Sequence, residues 1–120
     1  MNYSFDNERP IYIQLVEKMM IEIISGKLKP GERIPSVREL ALALKVNPNT
    51  LQKALSELET EGLIFTERTN GKFVTENSKL IENKKEKIAK KVVSKYVSDM
   101  KNIGIDFEEA TKYLKDIGKE

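Results

Sequence analysis

The sequence predicts a mainly α-helical fold carrying one small β-hairpin, and three observations lead there. Apolar residues recur at helical spacing over most of the 120 residues, capping signatures mark several helix starts, and one Asn-Gly pair lies between two β-prone runs. Hydrophobic side chains make up 39% of the chain and charged ones 33%, the balance of one globular domain with at most a short appendage. Cysteine and histidine are both absent. That excludes disulfides, thiol nucleophiles, the usual zinc and iron-sulfur ligand sets and imidazole bases, so the residues offer no catalytic site, no metal site and no cofactor. The polar stretch Met1–Pro10, and the interruption of the longest apolar run by Glu22, predict neither a targeting segment nor a membrane span, hence a cytoplasmic chain.

The first helix is expected over Pro10–Ser25, where Tyr12, Leu15, Val16, Met19, Met20, Ile23 and Ile24 fall on one face. Pro10 suits its first turn and Gly26 its stop. The segment Lys27–Pro35, with two prolines and a Pro30-Gly31 turn, reads as an extended connector. Ser36-Val37-Arg38-Glu39 is a capping box, and it starts a short helix that turns Val37, Leu40, Ala41 and Leu44 inward. Pro48 forces the preceding residue out of helical geometry, so this helix should end near Lys45. Asn47 then caps the next helix, with Pro48 at its first position, a stripe of Leu51, Ala54, Leu55 and Leu58, and a stop at Gly62. Two helices so joined form a helix-turn-helix.

Leu63–Thr66 and Lys72–Thr75 flank Arg68-Thr69-Asn70-Gly71 and predict a two-stranded wing. The order is that of a winged helix-turn-helix, closing near Glu76 as a domain of residues 1–76. Residues 77–120 predict two further helices, one over Ser78–Lys101 and a shorter one begun by the capping residue Asp106. Such a pair cannot bury its own apolar faces completely, so they must pack on the first domain or on another subunit; the second is expected, a two-fold dimer through Ile88, Val92, Tyr96, Phe107 and Leu114.

In a helix-turn-helix, residues at the start of the second helix read base edges in the major groove of double-stranded DNA. Here Asn47, Asn49, Thr50, Gln52 and Lys53 occupy that place, Ser36 and Arg38 open the preceding helix, and Arg68, Asn70, Gly71 and Lys72 form the wing tip. Asn and Gln suit adenine, Lys a phosphate or guanine, and an Arg in the first turn of a helix opposes the helix dipole unless an anion is near. Lys27–Lys53 holds six basic residues against two acidic ones, although residues 1–76 together carry 10 basic and 11 acidic side chains. Positive charge is therefore confined to the connector, the helix-turn-helix and the wing. The lysines from Lys84 to Lys95 read as the solvated face of an amphipathic helix. The other reading of this fold, a protein-interaction module, predicts binding that is much less sensitive to salt than phosphate contacts would be.

Residues 9 to 76 resemble the GntR family of bacterial transcription regulators. The likeness lies in Pro10-Ile11-Tyr12, in Pro30-Gly31-Glu32-Arg33-Ile34-Pro35-Ser36-Val37-Arg38-Glu39-Leu40, in Val46-Asn47-Pro48-Asn49-Thr50-Leu51, and in Asn70-Gly71-Lys72-Phe73-Val74. The sequence departs from many members in having Asn47-Pro48 where they have Ser-Arg, Gln52 where Arg or Lys is frequent, and a short tail in place of a large effector domain. The Asn-Pro-Asn-Thr turn and that tail are similar to the YtrA subfamily. The resemblance implies a homodimeric repressor, often of a transporter operon, that contacts DNA through Arg38, Asn47, Asn49, Thr50, Gln52 and the Asn70-Gly71 tip. About 44 residues follow Glu76, too few to enclose a drug-sized cavity, so a small-molecule effector would sit between subunits or domains.

Overall fold

Among residues 2–120, which the computed structural model describes, five helices and three short strands follow in order: α1 (Ile11–Ser25), β1 (Arg33–Ile34), α2 (Val37–Leu44), α3 (Pro48–Thr60), β2 (Ile64–Glu67), β3 (Gly71–Val74), α4 (Ser78–Asn102) and α5 (Phe107–Ile117). The mainly α fold with a wing is thus as expected. The chain forms two compact units, Met1–Asn83 and Lys84–Glu120. Leu80 and Ile81, in the first turn of α4, pack against the first core, which carries that unit beyond the end of the wing at Glu76.

In the first unit α1 buries Leu15, Met19 and Ile23 on one stripe. Pro10 stands at the N-cap with ψ 138°, just outside the first turn where the sequence placed it. The residues before it are tied down by a side chain that the apolar repeat passes over: buried Gln14 accepts from the Asp6 amide (2.9 Å) and donates to the carbonyls of Asp6 (3.1 Å) and Arg9 (2.8 Å). Burying an amide side chain is tolerable because its hydrogen bonds are satisfied.

The Ser36 hydroxyl accepts from the Glu39 amide (3.2 Å) and so caps α2. The helix ends at Leu44, beside the Lys45 at which the sequence places its end. Lys45 turns left-handed (φ 57°, ψ 47°), and its amide and that of Val46 bond back to carbonyls of the last turn, which satisfies groups the helix end would leave open. Asn47 caps α3 by accepting from the Asn49 amide (2.8 Å), with Pro48 at the first position. Leu51, Ala54, Leu55 and Leu58 are fully buried, and α3 packs on both α1 and α2. Gly62 (φ 80°) ends it, and an added Cβ there would lie 3.1 Å from Leu80.

The connector holds more structure than its composition suggests. Arg33 and Ile34 pair with β3 (Arg33↔Phe73, Ile34↔Lys72), so the sheet has three antiparallel strands in the order β1-β3-β2, one more than the hairpin foreseen. A two-residue strand is too short to display an alternating pattern. Only its partner makes it a strand, with Ile34 sealed into the core.

In the second unit the Tyr96 hydroxyl donates to the Ala110 carbonyl (2.7 Å), joining α4 to α5 across the Gly104 turn. Asp106 caps α5 by accepting from the Glu109 amide (2.9 Å). Val92, Val93, Phe107, Leu114 and Ile117 remain exposed on this unit. No described helix is long and apolar enough to cross a membrane.

Candidate nucleic-acid interface

The start of α3 presents its polar residues outward while Leu51, Leu55 and Leu58 hold the opposite face against the core. Asn47, Asn49, Gln52 and Lys53 are exposed and Thr50 half-buried. Arg38 is exposed in the first turn of α2, where a positive charge opposes the helix dipole, and the one acidic residue of that turn, Glu39, accepts from Ser36 instead of pairing with it. Among the described residues, Arg38, Asn49 and Thr50 have no side-chain partner in the chain.

Other members of the expected set are already engaged. The Ser36 hydroxyl hydrogen goes to the Glu39 carboxylate (3.1 Å), leaving Ser36 no donor for a phosphate. The Asn47 oxygen is the α3 cap, so only its amide nitrogen faces out. Gln52 donates to the Ser56 hydroxyl (3.3 Å), and the Lys53 ammonium rests 3.8 Å from the Tyr12 ring centroid on α1. That contact is a cation-π pair, which bends Lys53 toward α1.

The wing is braced in its loop and, one pair in, against α3. At its tip Asn70 donates to the Glu67 carboxylate (3.1 Å), and the Asn70 carbonyl accepts from the Arg33 guanidinium (3.0 Å). Gly71 adopts φ 96°, and a Cβ there would meet Arg33 at 3.4 Å. The loop spans Arg68-Thr69-Asn70, with Glu67↔Gly71 in register. The Asn-Gly pair therefore closes a longer loop and is not the centre of a two-residue turn. One pair in from the loop, Lys72 donates to Thr66 (2.9 Å) and pairs with Glu59 (3.5 Å), while Thr66 donates to Glu59 on α3. Phe65 and Phe73 stack directly across the strands with centroids 5.7 Å apart. Lys72 is thus a strut between wing and recognition helix. Of the expected wing cations Arg68 alone has no partner in the chain, among the described residues.

Two residues absent from the sequence-derived set, Arg33 and Glu59, position the wing. Neither has a local signal: Arg33 lies 37 residues from Asn70, and Glu59 meets Thr66 only across the turn that leads from α3 into β2. Arg33→Ala is expected to release the tip, with faster amide exchange over residues 67–72 and a stability loss of about 0.5–1.5 kcal/mol. Unchanged exchange there would remove Arg33 from this role.

The Thr66 hydrogen bond, the largest influence, holds the Glu59 carboxyl below the ordinary carboxylate range; burial opposes it, and the nearby Lys72 charge adds a smaller lowering. A lowered folded-state pKa means stability that is present above the unfolded value and lost as pH falls through the folded one. The brace should therefore be intact at neutral pH and loosen on acidification below the usual carboxylate range. Thr66 and Lys72 resonances followed by NMR should report that loosening, and Glu59→Gln should abolish its pH dependence.

Residues 11–74 match the family described as "Bacterial regulatory proteins, gntR family". The chain is 39% identical over 113 residues to the HTH-type transcriptional repressor YtrA of Bacillus subtilis, covering 92% of this chain and 86% of YtrA. It superposes on a GntR family transcriptional regulator from Listeria monocytogenes with TM-score 0.86 at 40% identity, covering 93% of this chain and 98% of that one. It also resembles the DNA-binding domain of AraR, solved in complex with operator ORX1, at TM-score 0.56 and 28% identity over 62% of this chain and 95% of that one. An outward-facing polar start to α3, a braced wing and this nearly whole-length likeness agree: the chain belongs to the GntR family of bacterial regulatory proteins, as a YtrA-like DNA-binding transcriptional regulator and not an enzyme.

Proposed function

We propose that two copies of this chain, joined through their C-terminal helices, occupy a roughly palindromic operator in the cytoplasm and repress transcription. The observation that carries this reading is the trio Arg38, Asn49 and Thr50, exposed or half-exposed without internal partners at the start of two consecutive helices. In this reading Arg38 and Arg68 hold phosphates, Asn49 and Thr50 read bases, and Asn47, Gln52 and Lys53 adjust around them. Asn70, Gly71 and Lys72 bring the wing to the backbone. Ser36 acts through the α2 cap rather than as a phosphate donor.

Dimerisation is supported by the exposure of Val92 (63%), Phe107 (67%) and Leu114 (51%) on the second unit, more apolar surface than a lone pair of helices leaves to water without reason. Ile88 is half-buried beside them, and Tyr96 serves mainly to join α4 to α5 within the subunit. Any small-molecule effector would bind between subunits, where the tail alone does not enclose it. Nuclease footprinting on a fragment carrying the chain's own gene neighbourhood tests the proposal. Two protected half-sites related by two-fold symmetry are expected, together with a dimer in sedimentation. One asymmetric half-site, or a monomer that binds as tightly, would overturn it. Val92→Lys with Phe107→Lys should yield a folded monomer with much weaker operator binding.

A further inference from the structure

Beside the recognition helix lies a shallow hollow of about 300 Å³ lined by Arg38, Ala41, Leu42, Val46 and Pro48. Its composition is unusual for a surface meant to meet DNA. Ala41 is its buried floor, Leu42 is 74% exposed, and Pro48 stands open at the first position of α3. Only Arg38, four residues before Leu42 and so on the same face of α2, is charged. An exposed leucine beside an exposed proline calls for an apolar partner, and the surrounding Arg38, Asn47 and Asn49 restrict that partner to something carried on a polyanion with hydrogen-bonding edges. In the major groove one group meets both conditions, the 5-methyl of thymine.

We propose that this hollow is a thymine-reading subsite, in which Pro48, backed by Leu42 and Val46, packs against the methyl of one thymine in each operator half-site. The inference rests on the DNA-binding reading and names one base in it. Pro48 has no backbone N–H and no polar side-chain atom, so it cannot read a hydrogen-bonding pattern. Shape and apolar contact are all it can offer. Arg38 at the rim would hold the phosphate of the same strand and so fix the depth at which the methyl enters.

The test compares wild-type chain on its footprinted operator with duplexes in which each thymine in turn is replaced by uracil, which removes the methyl and leaves the hydrogen-bonding edge unchanged. One position per half-site is expected to weaken binding about fourfold, the effect of one buried methyl group. 5-Methylcytosine offers a converse arm: a cytosine at that position should bind better when methylated. Pro48→Ala is expected to bring the thymine-to-uracil ratio at that position close to one, and Leu42→Ala, at a position the fold does not need, to reduce it. Should Pro48→Ala fail to fold, the wild-type series and Leu42→Ala decide the matter. A ratio of one at every position on an operator that is bound specifically would overturn the subsite alone and leave the hollow as a protein-docking surface. Absence of any specific operator would overturn the DNA reading with it.

Discussion

Leu55→Ala is expected to destabilise the first unit by about 2–5 kcal/mol, the largest effect of any single substitution considered. Leu55 is completely buried on α3, the helix that packs against α1, α2 and β2. Removing its side chain opens a cavity at the junction of these elements, and close-packed interiors relax only partly to fill one. For a unit of this size each kcal/mol corresponds to about 4–8 °C in melting temperature, so the variant should melt far below the parent. Leu42→Ala is the control. It removes the same atoms from a side chain 74% exposed and should change stability by less than about 0.5 kcal/mol. Equal melting shifts for the two would mean that α3 is not the keystone of this core.

Separation of affinity from preference is the second large effect, and it divides two residues that sit close together. Arg38→Ala should weaken binding on every DNA sequence and lower the slope of log K against log salt by about 0.9, the signature of one lost phosphate contact. Asn49→Ala should instead relax the choice of base at one position in each half-site, where a bidentate contact provides about 1–3 kcal/mol of discrimination. Titrations of both variants at several salt concentrations, on the operator and on point-substituted operators, distinguish the two roles. Equal losses on all sequences for both, or no salt dependence for the parent chain, would contradict them. The second result would favour a protein partner. The first 76 residues carry 11 acidic and 10 basic side chains, so non-specific affinity should be modest and the operator preference correspondingly visible.

Most of the helices were legible because helix formation is a local affair. The stripe Leu51, Ala54, Leu55 and Leu58, the caps Ser36, Asn47 and Asp106, and the stop at Gly62 are each written within one or two turns of chain, and each stands where the sequence places it. One boundary moved, where a local rule had a competitor: Pro10 remained outside α1. The end of α2 stands near Lys45 as expected, made there by a left-handed turn at Lys45 itself. The short β1 was illegible: Arg33 and Ile34 become a strand only because β3, nearly 40 residues later, offers them an edge.

The interface divides in the same way. Which residues stand at the start of α3 and at the wing tip follows from motif order alone, and with it the polar character of the reading face. Which of those side chains remain available depends on neighbours distant in the chain. Ser36 gives its proton to Glu39, Lys72 is drawn to Thr66 and Glu59, Lys53 lies on Tyr12, and Arg33 steadies the Asn70 carbonyl, while Arg38, Asn49, Thr50 and Arg68 are left for a partner. Sequence by itself determined the family, the order of elements and the face that is polar, because periodicity, capping and turn chemistry act over a few residues. Tertiary structure alone decided the third strand, the brace between wing and recognition helix, and the exposed Leu42 beside Pro48, because hydrogen bonding and burial depend on distances that only the packed chain sets.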